Sequence, residues 1–324
     1  MAGPRVFLSR SLPDPGLQLL LGETDLKQWT GPCPPTEEQL IGELAEAEGY
    51  LSATSDPVTA RVLASPRLRV ISQFGVGYDN IDLAAATSRG IAVCNTPDVL
   101  TEAVADLALG LLIAAARQLV RGDRLARSGR WQEMGLAREV HGRTLGLVGL
   151  GRIGQAVARR ARAFGMKLLY HDLALRPECE QELGIAFVSL AQLLRESDFV
   201  SLHLPLNPAT RRLISERELG LMKQDAILIN TSRGGIVDQA ALVRALQDKK
   251  IGGAALDVFE VEPLPASDPL IRLENVLLAP HIGSATVATR EEMAILAAEN
   301  LLAVLAGKRP RCILNPEVLA GAAG

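Results

Sequence analysis

Residues 144–154 read TLGLVGLGRIG. The first part, TLGLV, has the short apolar run of a buried strand. Gly149, Gly151 and Gly154 follow at the spacing GxGxxG, and IGQAVARRARAF then continues with helical periodicity. The pattern is weak alone in a chain with 29 glycines, but a strand leading in and a helix leading out give it structural meaning. Gly149 permits the tight turn, Gly151 lets a pyrophosphate approach the backbone, and Gly154 lets helix and strand pack closely. The helix N-terminus then offers amide donors to the phosphates. The next strand ends at Asp172, 23 residues after Gly149. A carboxylate there can bind both ribose hydroxyls and repels a 2′-phosphate, so NAD(H) is favoured over NADP(H).

Strand and helix patterns alternate on both sides of this turn. Downstream, MKLLYHD, FVSLHLP, AILINTS, GAALDVF and NVLLAPH are five more strand candidates, most separated by helical stretches such as QAALVRALQDKK. Six strands with a glycine turn after the first make a doubly wound, Rossmann-type domain. Upstream, RVFLS, GYLSATS, LRVISQFG and IAVCNTP mark a smaller α/β series. Short continuous apolar strands alternating with helices indicate parallel sheets covered on both faces. A long helix is expected over residues 100–128 and a last one over 285–306. The last helix can cross back to the first series and make that domain discontinuous. The expected division is residues 1–99 plus 288–324 as a flavodoxin-like substrate domain, and 100–287 as the dinucleotide domain.

The totals of the 324-residue chain agree with two domains. Hydrophobic residues at 48% and charged residues at 22% support a sizeable core and argue against disorder. A net charge of -3 gives no general attraction to nucleic acid or to an anionic membrane. Cys33, Cys94, Cys179 and Cys312 form no CxxC or Cys/His cluster. Neither a disulfide framework nor a metal site is expected, and reduced cytoplasmic thiols are the plain reading. The opening MAGPRVFLSRSLPDPG has no apolar signal core. The run LALGLLIAAA, residues 107–116, is too short to span a bilayer and reads as a buried helix in a core or an interface.

Four histidines occur. His141 lies in a polar loop, His171 inside a strand, and His203 at a strand end where it can line the cofactor groove. His281 follows NVLLAP and precedes Gly283 at the carboxyl end of the sheet, where open α/β sheets bind ligands. Glu262 and Arg233 stand past the carboxyl ends of two other strands. A carboxylate beside a histidine favours the imidazolium and fixes the ring. An arginine fork holds a carboxylate bidentately. Arg233, at the mouth of the strand AILINTS, is followed by Gly234 and Gly235, which let backbone come close to it.

These stretches resemble the D-isomer-specific 2-hydroxyacid dehydrogenase family. The resemblance is carried by VGLGRIGQAVARR, INTSRGGIVD, ALDVFEVEP, APHIGSAT, QFGVGYDNID and NTPDVLTEAVADLAL, and covers most of residues 68–306. Within the family, NTPDVLTEAVADLAL and the segment from HIGSAT to LLAVLAG are most similar to glyoxylate/hydroxypyruvate reductases, also called D-glycerate dehydrogenases. The resemblance implies that Arg233 binds the substrate carboxylate and carbonyl, that His281 is the acid/base, and that Glu262 pairs with it. It implies that the Val76 and Gly77 amides hold the carboxylate, with Leu51, Ser52 and Phe74 as candidates for the cleft wall. On the cofactor side it implies Arg152, Ile153, Asp172, His203, Leu204, Pro205, Thr231, Ser232, Asp257, His281 and Gly283. It also implies a homodimer acting on a small 2-oxo or 2-hydroxy acid.

Some hydroxypyruvate reductases carry a tryptophan-rich segment before the glycine turn, where this chain has only Trp131. Glu262 before Pro263 differs from the Gln of formate dehydrogenases, and no added regulatory domain of the long phosphoglycerate dehydrogenase kind is expected. The alternatives are another D-2-hydroxyacid dehydrogenase, acting on D-lactate or 3-phosphoglycerate, or an NADH-sensing, corepressor-like binding protein.

Overall fold

The structure, a computed structural model, describes residues 3–320. The described chain divides into two compact units, one up to Leu100 together with the part from Ser284 onward, the other Thr101–Gly283.

The first unit holds five parallel strands: β1 (Arg5–Leu8), β2 (Asp25–Gln28), β3 (Gly49–Ser52), β4 (Val70–Gln73) and β5 (Ala92–Cys94), in the order β2-β1-β3-β4-β5. One face packs Phe7, Tyr50, Ile71 and Val93 into a core with Leu40, Leu44 and Leu63. The helix Val287–Leu305 packs against β3, β4 and β5. It also packs on the helix Asp14–Glu23, where Gly16 permits the contact: a Cβ there would lie 2.4 Å from the Ala294 carbonyl oxygen. The segment beyond that helix is tied to the edge strand β5. Leu314 N donates to Val93 O at 2.8 Å, and buried Asn315 accepts from Val93 N at 2.8 Å while donating to Ile91 O at 2.9 Å.

The second unit holds seven parallel strands: β6 (Thr144–Val148), β7 (Lys167–His171), β8 (Ile185–Phe187), β9 (Phe199–Leu202), β10 (Ile227–Asn230), β11 (Gly253–Leu256) and β12 (Val276–Leu278). Their order is β12-β11-β10-β9-β6-β7-β8. The order reverses between β6 and β9, so the glycine turn after β6 opens at the topological switch point. The helices Thr101–Ala116 and Arg152–Ala163 cover one face of the sheet, and Leu190–Glu196 and Gln239–Gln247 the other. The apolar stretch 107–116 is core: Ala108, Leu109, Leu111, Leu112 and Ala116 are buried under β10–β12.

Three sequence expectations change. Each sheet gains a strand, β2 and β8. Both are edge strands, and their residues, DLKQ and IAF, are mostly exposed, so neither shows the apolar run that marks the inner strands. The expected helix over 100–128 is two helices, Thr101–Ala116 and Leu119–Arg127, bent by 59°. Gln118 sits between them in the left-handed region at φ 51, which stops the first helix without a Gly or Pro. The expected strands also ran too far at their carboxyl ends. FVSLHLP, AILINTS and GAALDVF leave their ladders at Leu202, Asn230 and Leu256, and the remainder forms loops over the sheet edge.

Among the described residues no disulfide forms, no group of three or more His, Cys, Asp or Glu could hold a metal ion, and no single helix is long and apolar enough to cross a membrane.

Candidate active site

The glycine turn of the second unit has the geometry its spacing demands. Gly149 lies at φ 95, and a Cβ there would meet His203 O at 2.4 Å. A Cβ on Gly154 would lie 2.3 Å from Gly149 O, so this glycine lets the helix start directly against the turn. At Gly151 a Cβ would meet nothing within 4 Å, which leaves room beside the backbone for a phosphate. Arg152 begins the helix on the exposed side, and Ile153 packs on the core. Asp172 stands just past β7. Its carboxylate accepts from Leu150 N at 2.8 Å and Leu173 N at 2.6 Å, so one side chain joins the glycine turn to the end of the next strand.

The segments after β9 and β10 flank the turn. Ser232 Oγ donates to Leu202 O at 2.5 Å and fixes one loop to the other. Leu204 packs toward Gly149, and Pro205 O accepts from Thr210 Oγ1 at 2.6 Å. Two buried polar atoms here have no partner among the described residues: His203 Nδ1 and Thr231 Oγ1. Orphaned buried polar atoms beside an open glycine turn fit a polar ligand laid along these loops, and a dinucleotide has that chemistry.

Arg233 has extended backbone (φ -145, ψ 140), its guanidinium donates to Ser232 O at 2.8 Å, and its own carbonyl accepts from Asn230 Nδ2 at 2.9 Å. Gly234 behaves as the sequence requires. A Cβ there would lie 1.8 Å from the Phe259 carbonyl carbon, so the arginine turn and the loop bearing Glu262 touch backbone to backbone. A Cβ on Gly235 would meet side chains alone, Leu206 at 3.1 Å and Arg211 at 3.6 Å, a looser constraint.

His281 Nδ1 and Glu262 Oε2 are 2.6 Å apart, and both side chains are about a third exposed. Glu262 Oε1 accepts from Phe259 N at 2.9 Å. Burial alone would raise the Glu262 carboxyl; the bond to His281, its charge, the Phe259 amide and the Arg233 charge together bring it below its ordinary value. His281 itself lies in the left-handed region at φ 54. Asp257 holds it there. Its carbonyl accepts from His281 N at 2.9 Å, and its carboxylate accepts from Ile282 N at 2.7 Å and Gly283 N at 2.8 Å. Burial is the main cause that raises the Asp257 carboxyl. The resemblance implies a cofactor contact for Asp257; in the structure both its carboxylate oxygens also clasp the loop that carries His281.

In the first unit, Val76 and Gly77 lie in the loop after β4. Gly75 O accepts from Thr96 N at 3.0 Å, Val76 O from Asn95 Nδ2 at 2.8 Å, and Gly77 O from Gln73 Nε2 at 3.1 Å. Leu51 and Ser52 are fully buried, and the Ser52 hydroxyl donates to Gln73 Oε1 at 2.5 Å. In this structure their side chains face the interior rather than a cleft. Gln73, Asn95 and Asn80 escaped the sequence reading. The signal available was a buried strand that ends on two polar residues, Ser72 and Gln73.

Burial pushes His203 down from its ordinary 6.5 to about 4. The unfolded chain therefore binds this proton first, and stability is full above about pH 6.5 and falls as pH drops toward 4, by on the order of 1–3 kcal/mol. His203→Gln is expected to flatten that part of the stability-against-pH curve, measured by denaturant unfolding from pH 7 to 4. An unchanged slope would mean that His203 is protonated in the folded protein.

Residues 109–283 match the family described as D-isomer specific 2-hydroxyacid dehydrogenase, NAD binding domain. The glyoxylate reductase of Korarchaeum cryptofilum (strain OPF8) is 50% identical over 322 residues, which span 98% of this chain and 97% of that protein. The crystal structure of an NADPH-dependent glyoxylate/hydroxypyruvate reductase from Sinorhizobium meliloti, in complex with NADP and malonate, is similar with a TM-score of 0.88 and 34% identity, over 97% of each chain. That of a glyoxylate reductase from Paecilomyes thermophila has a TM-score of 0.88 and 33% identity, over 98% of this chain and 100% of the other. With a paired His281 and Glu262 on the same sheet edge as a glycine turn, the chain belongs to the D-isomer-specific 2-hydroxyacid dehydrogenase family.

Proposed function

We propose that this protein reduces glyoxylate or hydroxypyruvate, giving glycolate or D-glycerate, with NAD(H) preferred to NADP(H). The observation that carries the reading is the 2.6 Å contact of His281 Nδ1 with Glu262, whose carboxyl Arg233 also helps to keep ionised. The glycine turn and Asp172 would hold a nicotinamide cofactor, whose chemistry when bound would be to supply a hydride for the carbonyl carbon. Arg233 clamps the substrate carboxylate through its guanidinium fork, and the Val76 and Gly77 amides are further donors to it. Glu262 holds Nδ1 of His281, which leaves Nε2 as the nitrogen that gives its proton to the carbonyl oxygen as negative charge develops there. The carbon gains a hydride and the oxygen a proton, so the 2-oxo acid becomes a 2-hydroxy acid.

The test is NADH oxidation with glyoxylate and hydroxypyruvate in parallel. Turnover of either is expected, and His281→Ala should lower kcat by about a hundredfold or more with NADH binding intact. Wild-type-like turnover in that variant would remove His281 from the reaction. Absence of turnover with both acids, NADH still binding, would move the assignment to another 2-oxo acid or to a binding protein.

The NAD(H) preference rests on Asp172, whose carboxylate bridges the glycine turn and the end of β7. Asp172→Ser should reduce kcat/KM for NADH relative to NADPH by about tenfold. A ratio that does not move would take cofactor choice away from this residue.

A homodimer belongs to the same reading. It is supported by a run of exposed apolar side chains in the second unit, Leu119 at 55%, Val120 at 46%, Trp131 at 76% and Leu136 at 101% exposure. Light scattering should give twice the mass of 34.6 kDa, and a monomer at micromolar concentration would count against it. The cytoplasm is the compartment that suits such an enzyme and its unbridged cysteines.

A further inference from the structure

The loop after β4 is held by its carbonyls. Gly75 O, Val76 O and Gly77 O each accept a hydrogen bond, from Thr96 N, Asn95 Nδ2 and Gln73 Nε2. In a trans peptide the C=O and the following N–H point in opposite directions. Three anchored carbonyls therefore set three consecutive amides, those of Val76, Gly77 and Tyr78, away from the groups that hold them. None of the three amides has an acceptor among the described residues.

The anchors are themselves fixed. Gln73 is fully buried and Asn95 is 6% exposed. Ser52 donates to Gln73 Oε1, which commits Gln73 Nε2 to Gly77 O and to Asn80 Oδ1 at 2.8 Å. Asn80 cannot present its other end, because its Nδ2 donates to Ala53 O at 3.1 Å and Asp56 O at 3.0 Å. Asn95 is fixed at its backbone, where its carbonyl accepts from Asn300 Nδ2 at 3.2 Å. Hydrogen bonds shielded from water and linked in a chain rigidify what they hold. A loop that needed only to turn would not require two buried side-chain amides on adjacent carbonyls.

We propose that Gln73 and Asn95 are positioning residues of a backbone anion site made by the amides of Val76, Gly77 and Tyr78, which takes the carboxylate of the 2-oxo acid. The proposal rests on the reading that this loop receives that carboxylate, and it adds the Tyr78 amide as a third donor and Gln73 as the residue that sets it. Preorganised peptide donors lose little entropy on binding, so the network's effect falls on substrate affinity and not on the proton and hydride steps.

Gln73→Glu keeps the size and the acceptor for Ser52 but replaces the donating nitrogen with oxygen. Gly77 O then faces a carboxylate and turns away, with the Tyr78 amide. At pH 8 the KM for glyoxylate is expected to rise about tenfold or more, with kcat and the KM for NADH within about twofold. Acidification toward pH 5.5 protonates the introduced carboxyl, restores a donor and should lower that KM again, relative to wild type at the same pH. Gln73→Met, which can do neither, should raise the KM at both pH values, and it serves also if the glutamate variant fails to fold. In parallel, the 15N-labelled amides of residues 76, 77 and 78 are followed as oxalate is added to the full-length protein with NAD present. All three should shift in wild type, and weakly in Gln73→Met. If the wild-type amides shift but both variants keep wild-type KM, the positioning role is overturned and the loop reading stands. If oxalate inhibits and the wild-type amides do not move, the loop is not the carboxylate site and both fall.

Discussion

The grip of Asp257 on the loop after β12 is the constraint from which the reactive pair follows. A histidine at positive φ costs backbone energy, of order 1–3 kcal/mol for such outliers, and persists only where neighbours hold it. Asp257 does so with three acceptors, one carbonyl and two carboxylate oxygens, against three successive amides, His281 to Gly283. That turn delivers Nδ1 of His281 to Glu262. Asp257 is nearly inaccessible to water, so its hydrogen bonds are made at low dielectric, where an unmade bond costs most.

The two units use one device in different materials. In each, a parallel sheet ends in loops whose orientation is set by buried or half-buried polar side chains rather than by further strand pairing. Asp257 and Asn230 do this in the larger sheet, and Gln73, Asn80 and Asn95 in the smaller. Polar residues at the ends of otherwise apolar strands therefore support the loops, and the apolar parts supply the platform.

Much of this was legible in the sequence, and the reasons differ by residue. The glycine turn could be read because its constraints are local: Gly149 and Gly154 are forced by atoms a few residues away or by the strand just beside. Arg233, Glu262 and His281 could be placed at one end of the sheet because each follows an apolar run that reads as a strand, two of them inner strands and the third, β12, an edge strand that is still apolar. The edge strands β2 and β8 were not legible, since a half-solvated strand of three or four residues leaves no periodic signal. The break at Gln118 had no Gly or Pro to announce it. The support of the loop after β4 was hidden for another reason. Asn95 lies 19 residues from the carbonyl it holds, and which end of Gln73 faces Gly77 is decided by Ser52 and Asn80 together. The inward orientation of Leu51 and Ser52 is likewise a fact of packing, not of pattern.

Gly234 has an implication for how such a protein can diverge. The space for its missing side chain is already filled by the carbonyl carbon of Phe259, and no rotamer change elsewhere can vacate it. The arginine turn and the glutamate loop are in effect cast as one block, so that a lineage drifting toward new substrates cannot retune them independently at this point. Variation has to enter where side chains, not main chain, line the contact, as beside Gly235, whose nearest neighbour is a leucine that can be shortened. Within this block, inherited change in substrate range is channelled away from position 234 by main-chain geometry alone.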